Sequence, residues 1–326
     1  MKSTILGCPF DNGIRSMLRF GRGITGAADG PSAVFKIFSE KFTEKYHEKV
    51  NLEMLPLSQY NLDLTDIYDI EFRKAQKKAT LEAHDMITAK VKQLCEEERI
   101  VVSVGGDHSI TYPVYKGLFT SKPGKRIGVI YVDAHFDMRP YDPDQAIGGV
   151  ISSGNAFRRI LEDSDFGIAG QGMAVIGINN SGTALFRELD SYAKHKNVMV
   201  VYDTDLADIS NTINTALENV SKVSDHIHLS IDIDAVNKMF APGVSCPAEK
   251  GITAQQLYTL VGGFSEHSKV ISLDVAETSS RSIAWSEAVK NKLPRQETSI
   301  ERLNKLKKTA ELGANVINCF LENKLS

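Results

Sequence analysis

The chain has 326 residues, 42% of them hydrophobic, and 38 Lys+Arg against 41 Asp+Glu leave a formal charge of −3. That length holds one large α/β unit or two domains with a substantial core, while the near-neutral charge offers nucleic acid and anionic membrane surfaces no general attraction. Gly, Pro and charge are spread without low-complexity blocks or a sustained heptad, which excludes disorder and coiled coil.

The start, MKSTILGCPFDNG, carries only a short apolar patch and lacks the h-region of a signal peptide. No apolar run approaches the ~18 residues that a membrane span needs. Cys8, Cys95, Cys246 and Cys319 lie far apart with no CxxC pair. They fit neither a disulfide framework nor a thiolate zinc site and read as reduced thiols of a cytoplasmic protein.

Short β-branched apolar runs alternate with longer amphipathic stretches. In chain order the pattern predicts a strand at 3–7, a helix at 32–46 after Pro31, a long helix near 69–98 and a strand at 99–104. A helix at 109–118 and strands at 127–133 and 173–178 follow, then a helix at 183–195, a strand at 197–202 and a helix at 207–222. The series closes with a strand at 226–233, a helix at 254–266, a strand at 268–275 and a helix at about 297–323. That last helix sets Leu303, Leu306, Ala310, Ala314, Ile317 and Phe320 on one stripe facing the body. Segments 136–157 and 278–296 read as irregular. The alternation is that of a mainly parallel sheet with helices on both faces, with no repeat and no linker.

Histidine and carboxylate residues gather at the far ends of the predicted strands, where open α/β sheets bind ligands. Strand 99–104 runs into GGDHS with His108, strand 127–133 into DAHFD, the strand stretch 226–231 into Asp232-Ile233-Asp234, and strand 268–275 into Glu277. If DAHFD stays extended, Asp133, His135 and Asp137 face one side while Ala134 and Phe136 pack away. Five such side chains plus His108 are too many for one ion that keeps an open position, but they suit two ions sharing carboxylates. Four carboxylates in one pocket also repel one another unless cations are present. The donor set, mostly carboxylate oxygen with two imidazoles and no thiolate, favours two Mn²⁺ per subunit over tetrahedral zinc, with Co²⁺, Fe²⁺ or Ni²⁺ as alternatives. Two ions ~3.5–4 Å apart lower the pKa of a shared water toward neutrality, and Asp137 is placed to accept a hydrogen bond from it. No GxGxxG opens a helix after the first strand, so a dinucleotide site is excluded; Gly21-Arg22-Gly23 comes later and lacks that pattern.

These motifs resemble those of the ureohydrolases, the family of arginase, agmatinase and formimidoylglutamase. GGDHS at 105–109, DAHFD at 133–137 and SIDIDAVNKMFAPGVSCP at 230–247 are similar to its three metal motifs in order, supported by DNGIRSMLRFGRGITGAADGPSAVF at 11–35 and LDVAE at 273–277. The resemblance implies a three-layer α/β/α sandwich with a mainly parallel sheet as a single domain over 1–326, trimeric or hexameric homo-oligomers, and metal ligands at His108, Asp133, His135, Asp137, Asp232 and Asp234, with Asp137 and Asp232 as bridges. It gives Glu277 the anchoring of a cationic amidine or guanidine, a pairing that suits a carboxylate and a planar N–C–N cation.

Arginases and agmatinases carry a proton-shuttling His in the loop after the second metal motif. Here Ser152-Ser153-Gly154-Asn155-Ala156-Phe157-Arg158-Arg159 has Ser153 at that place. The branch with Met138-Arg139, this segment and CPFDNGIR is similar to formimidoylglutamase. The expected reaction is therefore hydrolysis of N-formimidoyl-L-glutamate to L-glutamate and formamide. Agmatine, arginine or another guanidino acid is the alternative, and a non-catalytic binding protein a third. A dicarboxylate substrate calls for basic residues at the mouth, and Arg139, Arg158, Arg15 and Asn155 are the nearest by sequence. His226 and His228 read as structural, Cys8 and Cys246 lack the basic partner of a nucleophile, and 278–296, with Arg281, Trp285 and Arg295, reads as a lid or an interface.

Overall fold

The computed structural model describes residues 1–15, 26–62, 70–141, 151–179, 185–282 and 297–326. Among them, eight strands form one sheet: β1 (Ser3–Cys8), β2 (Val50–Met54), β3 (Ile100–Gly105), β4 (Ile127–Val132), β5 (Met173–Ile178), β6 (Met199–Tyr202), β7 (His226–Asp232) and β8 (Val270–Ala276). Their spatial order is β2-β1-β3-β8-β7-β4-β5-β6, and every pairing is parallel. The helices are α1 (Asn12–Arg15), α2 (Gly30–Phe42), α3 (Ile70–Glu96), α4 (Thr111–Ser121), α5 (Ala156–Glu162), α6 (Phe186–His195), α7 (Ile209–Val223), α8 (Ala254–Glu266) and α9 (Ser299–Leu325).

Strand side chains alternate between two apolar layers, as the period of two requires. Ile5, Val102, Ile130, Leu229 and Leu273 pack with α2, α7, α8 and α9. Leu6, Val101, Val129 and Tyr131 pack with α3, α4, α5 and α6 on the other face. The result is the expected three-layer α/β/α sandwich. Buried on both faces, the strands read as near-continuous apolar runs, which is why their predicted bounds agree with the observed ones to within two residues.

The structure departs from the sequence reading in four places. β2 was not expected; Val50, Leu52 and Met54 alternate with Asn51 and Glu53, and the strand lies half-buried at the sheet edge. α2 ends at Phe42, before the predicted limit of 46. α5 begins inside the segment read as irregular. On α9, Ala310, Ala314, Ile317 and Phe320 are buried, but Leu303 is 63% exposed and lies outside the packed stripe. Gly21, Arg22, Gly23, Trp285 and Arg295 fall outside the described residues. Residues 278–282 return against the body, with Ser279 N–H donating to the Gly243 carbonyl at 2.7 Å and Ser280 N–H to that of Gly26 at 3.0 Å. No described helix is long and apolar enough to cross a membrane.

The four strands whose ends carry the candidate ligands are adjacent, in the order β3-β8-β7-β4. Register levels those ends: Val132 pairs with Ile231, and Asp232 with Ala276. Asp133 and Asp232 therefore leave the sheet side by side, about one strand spacing (~4.8 Å) apart, and Glu277 follows one residue beyond that level. β3 delivers its own loop through Gly106, whose missing Cβ is a matter of space, since a Cβ there would lie 2.1 Å from the Phe10 carbonyl oxygen. Gly106→Ala must displace backbone and is expected to destabilise the protein by about 1–3 kcal/mol. Gly262→Ala, in α8 with nothing within 4 Å of the new methyl, should instead stabilise by up to ~1 kcal/mol. Denaturant midpoints at unchanged slope would check both.

Candidate metal centre

Each ligand loop is shaped by the same local device, an Asp that accepts a hydrogen bond from the backbone two residues on. Asp107 accepts from Ser109 N–H at 2.9 Å, Asp133 from His135 N–H at 2.6 Å and Asp232 from Asp234 N–H at 2.7 Å. Asp107 also accepts from Ile14 N–H at 2.7 Å, tying the loop after β3 to α1. Asp133, His135 and Asp137 do converge, yet the chain is not extended through them. It turns at Asp133–His135 and is left-handed at Asp137, with φ 47°. The Asp137 carbonyl accepts Phe157 N–H at 3.2 Å, which fixes that bend against α5.

Two groups of side chains have ligand atoms within 4.8 Å of one another: His108, Asp133, Asp137 and Asp232, and Asp133, His135 and Asp234. His108 Nδ1 lies 3.2 Å from Asp133 Oδ2, 3.1 Å from Asp137 Oδ2 and 3.2 Å from Asp232 Oδ2. His135 Nδ1 lies 3.5 Å from Asp133 Oδ1 and 3.1 Å from Asp234 Oδ2. Asp133 alone belongs to both groups. The geometry thus gives a shared position to Asp133, whereas Asp137 and Asp232, expected to bridge, both fall in the first group only. The first group is the deeper one; the His135 side chain is 32% exposed and marks the open side.

The hydrogen-bond network around His108 tests whether cations belong here. Ser230 Oγ donates to Asp274 Oδ1 at 2.6 Å, so it accepts from His108 Nε2 at 2.9 Å. With its proton on Nε2, neutral His108 turns the Nδ1 lone pair toward three carboxylate oxygens. Asp133 Oδ2 and Asp234 Oδ1 are buried without a hydrogen-bond partner. Lone pairs of nitrogen and oxygen converging in a buried space fit divalent cations, which replace the missing donors.

The pKa directions record the same conflict. Burial, then Asp234 and Asp133, pushes Asp232 well above the carboxylate range. Burial and Asp133 push Asp137 up to about 6. Burial opposes a charge on His108, yet hydrogen bonds with Asp133, Asp137 and Asp232 hold it well above the usual imidazole value. The site gathers protons when no metal is there to balance its charge.

Glu277 sits beside this centre in a left-handed conformation, φ 67°. Its N–H donates to the Gly106 carbonyl at 2.8 Å and its Oε1 accepts His108 N–H at 3.2 Å. Oε2 is buried with no hydrogen-bond partner. Burial and Asp107 push this carboxyl well above its ordinary range against the opposing pull of the nearby Ser245 hydroxyl, itself left without a hydrogen-bond partner, and an incoming cation would lower it.

The four residues expected at the mouth have different fates. Arg15 is bound to Asp11, 2.6 Å from Nε to Oδ1, and donates to the Leu62 carbonyl at 2.8 Å, away from the carboxylates. Arg158 meets Glu162 at 3.0 Å and lies over the Tyr192 ring on the outer side of α5. Asn155 spends its side-chain oxygen on Ser152 N–H at 3.1 Å, closing the turn that carries Ser153. In each case a partner close in sequence or across a loop captured the polar group. Arg139 follows Asp137 by two residues, and its stem crosses Gly154, where a Cβ would lie 2.9 Å from Arg139 Cδ. Cys246 stands near His135, Asp234 and Glu277, and burial pushes its thiol up to about 12, away from the thiolate form that a nucleophile needs.

Sequence reasoning missed Ser230 and Asp274. The signal was present: His228, Ser230 and Asp232 occupy one face of β7, and Ser272 and Asp274 one face of β8, in strands where both faces should be apolar.

The Arginase family model matches residues 1–320. A formimidoylglutamase from Staphylococcus carnosus is 32% identical over 276 residues, spanning 84% of this chain and 78% of the relative. Among solved structures, arginase from Bacillus caldovelox is similar at TM-score 0.73 and 21% identity, covering 100% of both chains. Trypanosoma cruzi formiminoglutamase with Mn²⁺ is similar at TM-score 0.71 and 20% identity, covering 100% of this chain and 94% of that one. The structural likeness is one of fold, and with the matched profile and the Staphylococcus relative it establishes that this chain belongs to the arginase family.

Proposed function

We propose that the protein hydrolyses N-formimidoyl-L-glutamate to L-glutamate and formamide, with two divalent cations held by His108, Asp133, His135, Asp137, Asp232 and Asp234. The observation that carries the reading is the unpartnered Oε2 of Glu277 beside a pocket of converging lone pairs. Such a pocket is built for metal plus a planar nitrogen cation. The choice of amidine rests on the Staphylococcus formimidoylglutamase and on Ser153 standing where guanidine-cleaving members carry a proton-shuttling His. Mn²⁺ is the favoured ion, because four carboxylates and two imidazoles without thiolate suit an oxygen-preferring octahedral metal. The T. cruzi formiminoglutamase structure with Mn²⁺ agrees with that preference. Homo-oligomeric assembly and a cytoplasmic site of action belong to the same proposal, the second supported by four free cysteines.

Bound ions would lower the pKa of water toward neutrality and cancel the repulsion among the carboxylates. The chain's own groups do the rest. Asp137, on the less buried edge of the first group, accepts a hydrogen bond from the attacking water. Glu277 Oε2 accepts from an amidinium N–H, while Oε1 stays on His108 N–H and fixes the carboxylate plane. Arg139, carried by the same loop as Asp137, pairs with a substrate carboxylate through its two-pronged guanidinium.

Purified Mn²⁺-loaded protein should release formamide from formimidoylglutamate; urea from arginine or agmatine without formamide would overturn the substrate assignment. Asp137→Asn should lower kcat at least about 100-fold. Arg139→Gln should raise KM for formimidoylglutamate about 10-fold or more with a smaller change in kcat, and Gly154→Ala, which crowds the Arg139 stem, should move KM the same way. Chelation should lower Tm, and excess Mn²⁺ restore it, by about 3 kcal/mol in apparent stability at 100 times Kd.

A further inference from the structure

Beneath the metal centre runs a line of buried polar side chains that no step above uses. His228 Nδ1 meets Ser272 Oγ at 2.8 Å, His228 Nε2 meets Asp274 Oδ2 at 2.8 Å, and Ser230 Oγ donates to Asp274 Oδ1 at 2.6 Å. All four residues have no exposed surface. Parallel register places them as cross-strand pairs, Ser230 beside Asp274 and His228 beside Ser272. Burying four polar residues where Val or Ile would pack is costly unless each is satisfied and each serves an end. Asp274 is the junction: one oxygen receives the serine hydroxyl, the other faces the histidine ring.

We propose that His228 and Asp274 are positioning residues that fix the His108 tautomer through Ser230, and so set the affinity of the deeper cation position. A hydroxyl can donate to only one acceptor. While Asp274 takes the Ser230 proton, the Ser230 oxygen is left to accept from His108 Nε2, and Nδ1 is bare. Without Asp274 the hydroxyl, whose other neighbour is Thr111 Oγ1 at 3.3 Å, can turn and donate to Nε2, which moves the imidazole proton to Nδ1. An N–H would then point at the place where Asp133, Asp137 and Asp232 converge and would exclude a cation. His228 keeps Asp274 from turning away from Ser230, since its ring is itself held by Ser272. The proposal rests on the two-cation reading of the site, and a partner two bonds removed from a ligand is of the kind that changes metal affinity 10–100-fold.

The test measures Mn²⁺ stoichiometry and affinity by chelator competition, with melting of the chelated protein alongside. Wild type should bind two ions. Asp274→Leu and Ser230→Ala should each weaken one of the two by 10- to 100-fold and leave the other within about twofold. Asp274→Asn should stay within about threefold of wild type, because the amide oxygen still takes the Ser230 hydroxyl while its NH₂ faces a His228 that donates to Ser272 instead. That rescue separates tautomer control from simple loss of packing, which would lower Tm in the chelated state without distinguishing the two ions. Should Asp274→Leu fail to fold, Ser230→Ala, smaller by one oxygen, carries the test. Two ions at wild-type affinity in Ser230→Ala would overturn the relay alone; a wild type that binds no Mn²⁺ would overturn the two-cation reading with it.

Discussion

Repulsion among buried carboxylates governs this structure. Asp133, Asp232, Asp234 and Glu277 are each at most 3% exposed and leave adjacent strands of one sheet. Carboxylates so close cannot all be ionised without compensating cations. Protonation or metal can relieve the conflict, and the upward shifts of Asp137, Asp232 and Glu277 have the direction that such repulsion and burial impose. The surrounding fold holds the carboxylates in place against that repulsion. Parallel register sets their spacing, three Asp-mediated turns set their direction, and left-handed backbone at Asp137 and Glu277 turns two of them inward.

The sheet order explains why the site lies where it does. β3 and β4 are consecutive in the chain but are separated in the sheet by β8 and β7, which arrive from much later in the sequence. The loops after β3 and β4 therefore diverge, and the space between them is closed by the ends of the inserted pair. Open α/β sheets bind ligands at such reversals. Here the reversal supplies His108 and the DAHFD trio from its flanks, and Asp232, Asp234 and Glu277 from its middle.

What the sequence could reveal follows from the range of the interactions involved. Buried parallel strands are continuous apolar runs, and their carboxyl ends carry the ligands, so the sheet and the six clustered residues were legible from residue type and order. Features set by contacts between distant segments were not. Nothing local to Arg15 indicates that Leu62 would accept its guanidinium, and nothing in DAHFD indicates that Asp133, rather than Asp137, would reach both groups. β2 was passed over because five residues with three apolar positions carry a weak signal at a sheet edge. Arg158 shows a local pairing instead: Glu162, one helical turn on in α5, meets its guanidinium at 3.0 Å, a spacing visible in the sequence once that stretch is helical.

The polar line through β7 and β8 shows how a ligand's setting extends into the sheet. Leu229, Ile231, Leu273 and Val275 give one face of these strands to the apolar layer under α8 and α9, while His228, Ser230, Ser272 and Asp274 occupy the other. A strand pair serving only as core would be apolar on both faces. Half of this one is given over to hydrogen bonds that end on the Nε2 of a candidate ligand. The arrangement is satisfied only along a single proton order, from His108 to Ser230 to Asp274, because the serine can donate once and the carboxylate not at all. Rigid strands in fixed register hold that order more firmly than a loop could. A candidate metal centre whose ligands sit on loops, apart from Asp232 at the end of β7, thus takes the orientation of its deepest imidazole from the sheet below.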